Sequence, residues 1–317
     1  MPHPILVTGA AGGSQGSTGR IVATFLLQQG IPVRAFVHKL DARSDELRGL
    51  GAEIFEGDLL NPASVQRAMN NMERAYFTYP VADGLLEAAT IFAATARDAG
   101  LGMVVNNSQS QGTPDDPAFR DLRYAASFRN LQHRLADRIF DWAQVGAIHL
   151  QAPPYYENVR ALVGRGVAEQ NIAFLPWGDD NTVIPLAGAE DIARVAATLL
   201  ADPNVPSENV FPLVTETQTV GEIVETLSRA LGRPIRYVPI TDEQWVQAVK
   251  GRINPHAVDH LTHLWQYFRK GERRFRTTDT VRAVTGRKPQ TLEEFFQANA
   301  ASFDPEAAVT SQSKSKR

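Results

Sequence analysis

The sequence that decides the fold is Ile5-Leu6-Val7-Thr8-Gly9-Ala10-Ala11-Gly12-Gly13-Ser14-Gln15-Gly16-Ser17-Thr18-Gly19-Arg20. Three apolar residues lead into a run of small residues, and apolar residues at helical spacing follow from Ile21 to Leu26. This order predicts a strand, a glycine-rich turn and a helix. Glycine lets the backbone approach a pyrophosphate, and the N–H groups at a helix N-terminus favour the anion. The stretch therefore predicts a dinucleotide-binding turn, with a flexible surface loop as the alternative.

Length and composition restrict the class of protein. The chain has 317 residues, enough for one large or two moderate domains. Its net charge of −3 gives no reason to expect nucleic acid or an anionic membrane as a partner. The absence of cysteine excludes disulfides and thiol catalysis. Neither a signal peptide nor a bilayer-spanning apolar run is found, so we expect a cytoplasmic protein without a membrane partner.

Strands and helices alternate through the first half of the chain. After the first strand, further strands are predicted at 31–37, 52–58, 74–80, 103–108 and 147–152. This alternation predicts an α/β fold with a doubly wound parallel sheet. Beyond Pro154, short strands alternate irregularly with helices near 190–201, 220–231, 242–250, 256–270 and from 292, which predicts a smaller α/β lobe. The predicted organisation is 1–153 for a dinucleotide-binding Rossmann domain, 154–303 for the smaller lobe, interleaved with the first, and 304–317 for a disordered tail.

The carboxyl ends of the strands are where such sheets bind ligands. The residues predicted there to contact the dinucleotide are Gly9, Gly12, Gly16, Ser17, Thr18, His38, Lys39, Asp58, Leu59, Thr78, Tyr79, Pro80, Ser108 and Pro153. Basic residues at the end of the second strand accommodate the 2′-phosphate of NADP, whereas an acidic residue would bond the ribose of NAD. His38 and Lys39 therefore predict NADP(H), and Asp41 leaves NAD(H) open. The alternative for Lys39 is a solvated loop charge.

Several motifs follow one another along the chain: Gly16-Ser17-Thr18-Gly19-Arg20, Val33-Arg34-Ala35-Phe36-Val37-His38, Glu56-Gly57-Asp58-Leu59, Pro153-Pro154-Tyr155-Tyr156-Glu157-Asn158, Ala189-Glu190-Asp191-Ile192-Ala193 and Thr285-Gly286-Arg287-Lys288-Pro289. Their order and spacing resemble the NmrA-like family of atypical short-chain dehydrogenases/reductases. The resemblance implies an NAD(P)-binding Rossmann fold and an adenine contact for Asp58. It implies substrate contacts near the nicotinamide for Tyr155, Tyr156 and Asn158, for which packing between the lobes is the alternative. The glycine-rich turn has extra residues, including Ser14 and Gln15, relative to that family.

The resemblance leaves two classes of function open. Some members reduce quinones or dyes with NADPH, and others bind NAD(P) as redox sensors or transcriptional co-regulators. The Tyr-x-x-x-Lys pair of ordinary short-chain dehydrogenases is absent, because Phe128 stands four residues after Tyr124. His133 is the candidate proton donor, since histidine titrates near neutral pH, and a solvated helix histidine is the alternative.

We therefore predict an NAD(P)H-dependent oxidoreductase, with NADPH preferred, that acts on a small conjugated acceptor. The alternative is a non-catalytic redox sensor that acts through a regulatory protein partner. The sequence leaves the oligomeric state open, a homodimer included. His256, His260 and His263 fall at helical spacing. No glutamate base lies between them in the metalloprotease arrangement and no further ligand is evident, so no metal site is predicted.

Overall fold

The computed structural model describes residues 3–13, 16–110, 128–202, 204–271 and 275–304, with the backbone alone for 128–130. The strands are β1 Ile5–Val7, β2 Val33–Val37, β3 Glu53–Glu56, β4 Arg74–Phe77, β5 Met103–Gln109, β6 Ala147–Ala152, β7 Ile172–Leu175, β8 Val183–Leu186, β9 Val210–Pro212, β10 Glu216–Thr219 and β11 Arg236–Pro239. The helices are α1 Thr18–Gln28, α2 Ala42–Gly49, α3 Pro62–Ala68, α4 Leu85–Asp98, α5 Phe128–Ala143, α6 Tyr156–Gln170, α7 Ala189–Ala201, α8 Val220–Leu231, α9 Asp242–Val249, α10 Pro255–Lys270, α11 Thr280–Thr285 and α12 Leu292–Ala298. The last element is a 3₁₀ turn at Ala300–Phe303. Of the tail predicted for 304–317, all residues after Asp304 lie outside the described residues.

Seven strands form one sheet in the order β3-β2-β1-β4-β5-β6-β9, and all of their pairings are parallel. This arrangement confirms the predicted doubly wound sheet. The strand order reverses beside β1, where Ile5 pairs with Val33 of β2 on one side and with Arg74 of β4 on the other. Ligands bind such sheets in the crevice at this switch point, so the topology itself locates the site.

Strand β1 is fully buried because helices cover both faces of the sheet. Side chains alternate across a strand, so Ile5 and Val7 join the core beneath α1 and α7, while Leu6 joins the core beneath α3, α4 and α5. The three apolar residues of the first strand thus contribute to the hydrophobic core on both faces of the sheet.

The second half of the chain has a hydrophobic core of its own, built around Tyr156, Trp177, Trp265 and Phe296. Two small sheets belong to this lobe, a parallel pair β7–β11 and an antiparallel pair β8–β10. Two elements of the same half return to the large sheet: α7 packs against α1, and β9 pairs with β6. The sheet of the first half is therefore completed by residues from the second.

Four elements of the structure were not predicted from the sequence: α2, α6, α11 and β10. Helix α6 is the longest of them and contains Gly164 and Gly166, which lower helix propensity. It forms because Val159, Val163 and Val167 lie four residues apart and are all buried in the second core. Tertiary packing has outweighed local propensity here.

None of the described helices combines the length and the apolar character needed to cross a membrane. Within the described ranges, three or more histidine, aspartate or glutamate side chains do not gather into a group suited to holding a metal ion.

Candidate functional site

A cleft of about 1300 Å³ runs along the carboxyl ends of the strands and continues into the second lobe. Sixteen of the eighteen residues predicted for the site line it: Gly9, Gly12, Ser17, Thr18, His38, Lys39, Asp58, Leu59, Thr78, Tyr79, Pro80, Ser108, His133, Pro153, Tyr155 and Asn158. The topology brings these residues together from six strand ends and three helices, α1, α5 and α6. Ser14, Gln15 and Tyr124 lie outside the described residues.

The glycine-rich turn holds α1 very close to the end of β1. A Cβ atom at Gly19 would stand 2.2 Å from the carbonyl oxygen of Thr8 and 2.8 Å from backbone atoms of Gly9. Gly9 itself has a φ of +62°, and a Cβ there would meet the Thr78 side chain. Both positions therefore favour glycine, Gly19 because a Cβ would meet backbone atoms and Gly9 because of its positive φ.

Ser17 precedes α1 with a φ of 53°, in the left-handed region that a non-glycine residue rarely adopts. Its hydroxyl donates to the carbonyl oxygen of Gly13 at 2.6 Å and makes no side-chain capping bond to α1. The N–H groups of the first helical turn thus have no cap from Ser17, and together with the helix dipole they favour an anion such as a pyrophosphate.

A basic group stands at the end of β2, where His38 and Lys39 are exposed and line the cleft. Arg43, which no sequence motif indicated, joins them: its Nη1 donates to the carbonyl oxygen of Gly12 at 3.1 Å. The Asp41 carboxylate does not join this basic group, because it caps α2 and accepts a hydrogen bond from Arg43 Nη2 at 2.5 Å. The hydrogen bonds from Arg43 hold the pKa of Asp41 below its usual range.

The interior end of the cleft is held by a small network of polar side chains. Asn107 donates through Nδ2 to the Tyr155 hydroxyl at 3.2 Å and to Thr78 Oγ1 at 3.3 Å. Burial raises the pKa of Tyr155 to about 12. A phenol with this pKa stays protonated at neutral pH, so Tyr155 can donate a hydrogen bond here but is a weak acid and no base.

His133 lines the cleft from α5, with its ring centroid 5.7 Å from that of His260. Burial, together with the charge of His256, lowers the pKa of His133 to about 4. The ring is therefore neutral at pH 7 and lacks the acidic proton that the predicted donor role requires.

Tyr156 and Gly16 do not line the cleft, in contrast to their predicted roles. Tyr156 is fully buried in the second core, where its hydroxyl contacts Thr215 Oγ1 and the carbonyl oxygen of Gln290, each at 3.2 Å. It is the first residue of α6 and points away from its neighbour Tyr155, so it packs the lobe, as the alternative interpretation held. Gly16 packs against the Tyr155 ring, which a Cβ atom at position 16 would meet at 2.5 Å.

The wall contributed by the second lobe was not found from the sequence. It is mainly apolar and includes Leu162, Phe174, Trp245, Ile253, Leu261 and Leu264, with Arg165 and Arg252 among the polar residues. These side chains come from the later part of α6, from β7, from α9 and the turn after it, and from α10, none of which belongs to a family motif. Only the amphipathic pattern of α10 signalled that one of its faces would be buried.

Two family profiles match the chain. Residues 13–173 match a family described as NAD(P)H-binding, and residues 147–296 match the NmrA-like family. Over 293 residues the chain is 26% identical to the NAD(P)H azoreductase of Xenophilus azovorans, and the match covers 92% of this chain and 97% of that protein.

Two solved structures share the whole fold. An NADPH-dependent quinone oxidoreductase from Escherichia coli, crystallised with NADPH, superposes with a TM-score of 0.76 at 18% identity, over 93% of this chain and 99% of that one. NmrA, a negative transcriptional regulator crystallised with NADP, superposes with a TM-score of 0.74 at 18% identity, over 94% and 95%. At such identities these structures establish the fold alone.

Proposed function

The chain belongs to the NAD(P)H-binding family and is NmrA-like over residues 147–296, and from this membership we propose that it is an NADPH-dependent reductase of a small conjugated acceptor, such as a quinone or an azo compound. The observation that carries the proposal is the extent of the cleft. It continues past Tyr155 and Ser108 into the apolar wall of the second lobe, which leaves room for a second molecule beside a dinucleotide. A pocket with apolar walls and few polar groups suits a planar conjugated molecule.

The chain's residues fit the cofactor in three ways. The glycine-rich turn and the N-terminus of α1 would hold the pyrophosphate, the basic group at the end of β2 would hold the 2′-phosphate, and Asp58 and Leu59 would border the adenine. Asp41 favours NADPH over NADH, because its carboxylate is already engaged by α2 and Arg43 and is not free for a ribose. When bound, NADPH supplies the hydride, while the protein positions the acceptor and excludes water.

Replacing Lys39 or Arg43 by alanine is expected to weaken NADPH binding about tenfold, or about 1.4 kcal/mol. NADH binding is expected to stay unchanged in Lys39→Ala, because NADH lacks the phosphate that this cation would meet. Arg43→Ala also loses the bond to Gly12 and is expected to weaken NADPH binding more than NADH binding. Dissociation constants for both cofactors, measured by fluorescence titration, check this. Lys288→Ala removes an exposed lysine away from the cleft and is the matched control. A wild-type protein that binds NADH as tightly as NADPH would contradict the preference.

The reductase function is tested by steady-state oxidation of NADPH against a panel of quinones and azo compounds. The expected result is oxidation that depends on both the acceptor and its concentration. Tight NADPH binding without any acceptor-dependent oxidation would overturn the proposal.

That negative result would favour a second function, a redox-sensing protein that passes the NADPH/NADP⁺ ratio to a protein partner. Two observations favour this alternative: the missing Tyr-x-x-x-Lys pair, and the likeness of the fold to a transcriptional regulator crystallised with NADP. Pull-down with NADPH-loaded and NADP⁺-loaded protein would then distinguish a ratio-dependent partner from a passive binder.

A further inference from the structure

A row of polar side chains, buried except at its outer end, leads away from the cleft through the first lobe. Ser108 donates through its hydroxyl to Asp137 Oδ2 at 2.9 Å, and Asn106 Nδ2 donates to Asp137 Oδ1 at 2.8 Å. His149 Nδ1 lies 3.4 Å from the same Oδ1 atom. On the far side of the ring, His149 Nε2 lies 3.0 Å from Asp141 Oδ1.

The secondary structure explains how this row forms. Side chains alternate along β5, so Asn106 and Ser108 face α5 while Asn107 faces the opposite layer and the Tyr155 hydroxyl. Asp137 and Asp141 lie one helical turn apart on α5 and contact the two nitrogens of the same ring. Ser108 is the member of the row that also lines the cleft.

Burying these polar and charged side chains costs solvation free energy, which hydrogen bonds or ion pairs must offset. The Asp137 side chain is 13% exposed and that of His149 only 2%, whereas the Asp141 side chain is 43% exposed. Burial raises the pKa of Asp137 to about 6, against the opposing charge of His149 and the hydrogen bonds from Ser108 and Asn106. Burial acts to lower the pKa of His149, but the hydrogen bond to Asp141 and the charge of Asp137 outweigh it and raise that pKa.

Asp137 therefore differs from the other titratable groups near the inner end of the cleft. Tyr155 stays protonated and His133 stays neutral at pH 7. The titratable groups that act on Asp137 are His149, from β6, and Asp141, from its own helix. A carboxyl group with such a pKa is a competent general acid near neutral pH.

We propose that Ser108 and Asp137 deliver the proton that accompanies hydride transfer to the acceptor, an inference that rests on the proposed reductase function. The acceptor gains a hydride, with two electrons, from NADPH, which becomes NADP⁺. When Asp137 is protonated, its carboxyl donates to Ser108 Oγ and the serine hydroxyl hydrogen turns toward the acceptor. The Ser108 O–H bond then breaks as its proton bonds to an oxygen or nitrogen of the acceptor, and the Asp137 O–H bond breaks to restore the hydroxyl. The new Asp137 carboxylate is stabilised by the hydrogen bond from Asn106 Nδ2 and by the neighbouring His149 ring. After product release, Asp137 takes up one proton from bulk solvent through Ser108, so that each turnover consumes one proton from solution.

The kinetic test compares the full-length wild type with Asp137→Asn, using a quinone that the wild type reduces. Because the donor is the protonated carboxyl, kcat of the wild type is expected to fall as pH rises through about 6. Asp137→Asn is expected to lower kcat about tenfold at pH 6 and to remove this pH dependence, with the dissociation constant for NADPH unchanged. Asp98→Asn, an exposed change outside the cleft, is the control and keeps the wild-type profile.

A second pair of variants separates the proton path from packing. Ser108→Ala removes the hydroxyl and is expected to lower kcat as Asp137→Asn does, while Ser108→Thr retains a hydroxyl and restores most of the activity. A readout without turnover is the NMR titration of the His149 ring in the cofactor-free protein. Loss of the neighbouring negative charge in Asp137→Asn is expected to lower the pKa of His149 relative to the wild type.

The outcomes distinguish the inference from the function on which it rests. If the wild type reduces an acceptor but Asp137→Asn keeps the same kcat and pH profile, the proton path is wrong and the reductase function stands. An unchanged His149 titration in Asp137→Asn would overturn the path in the same way. If the wild type binds NADPH and reduces no acceptor, the reductase function is wrong, and the inference falls with it.

Discussion

Replacing Gly19 by alanine is expected to lower the free energy of unfolding by about 3 kcal/mol and to abolish NADPH binding. The new Cβ would stand 2.2 Å from the Thr8 carbonyl oxygen, and that atom belongs to the backbone of the central strand end, so it cannot rotate away. Relief requires α1 to move off β1. That movement would displace the N-terminal turn of α1 from the position that suits a pyrophosphate.

Urea denaturation followed by circular dichroism measures the stability, and fluorescence titration measures NADPH binding. Gly164→Ala is the matched control, because Gly164 also lies in a helix but a Cβ atom there would meet nothing within 4 Å. Alanine at this position is expected to raise the free energy of unfolding by about 0.5–1 kcal/mol, since it has the higher helix propensity. Equal stability of the two variants would show that α1 does not pack against β1 as described.

Asp191→Ala is the second large expected loss, about 3 kcal/mol in the free energy of unfolding. Asp191 is fully buried at the start of α7, and burial raises its pKa. Its Oδ2 atom accepts from the backbone N–H of Gln290 at 2.8 Å, and its Oδ1 atom accepts from Arg194 Nη1 at 2.8 Å. Alanine would leave the partly buried N–H group of Gln290 without its acceptor and would remove a hydrogen bond that holds α7 to the segment before α12.

Glu190→Ala is the control for this prediction, because Glu190 pairs with the same arginine but is exposed. Its loss is expected to cost less than about 0.5 kcal/mol, as for most exposed ion pairs. Asp191→Asn keeps an oxygen acceptor for the Gln290 N–H and is expected to fall between the two. Chemical denaturation at pH 7 ranks the three variants, and an Asp191→Ala variant as stable as Glu190→Ala would contradict the role of the buried carboxylate.

The parts of the fold that follow local rules could be predicted from the sequence. A run of apolar residues, a glycine-rich turn and an amphipathic segment specify β1, the turn and α1, and regular alternation then specifies the parallel sheet. Once the sheet is parallel, its carboxyl ends must share one edge, so Thr78 and Ser108 could be placed in one cleft although thirty positions of sequence separate them.

The remaining parts depend on packing that no local pattern encodes. Helix α6 forms in spite of two glycines, because a second core is present to bury its valines. Of the adjacent Tyr155 and Tyr156, one faces the cleft and the other the core, and the choice depends on where α6 begins. Arg43 reaches the glycine-rich turn only because α2 brings it there. The contact between Ser108 and Asp137 joins a strand to a helix that follows it in the chain.

The pairing of β9 with β6 has a consequence for the order in which the nascent chain can fold. During synthesis the first six strands leave the ribosome well before Val210–Pro212, and until then β6 presents an open edge. Helix α7, which packs against α1, is translated only shortly before β9 and is also missing when β6 has just been completed. The nucleotide-binding half therefore cannot reach its final stability before residue 212 has been translated, and we expect premature termination near residue 180, ahead of both α7 and β9, to yield an aggregation-prone fragment.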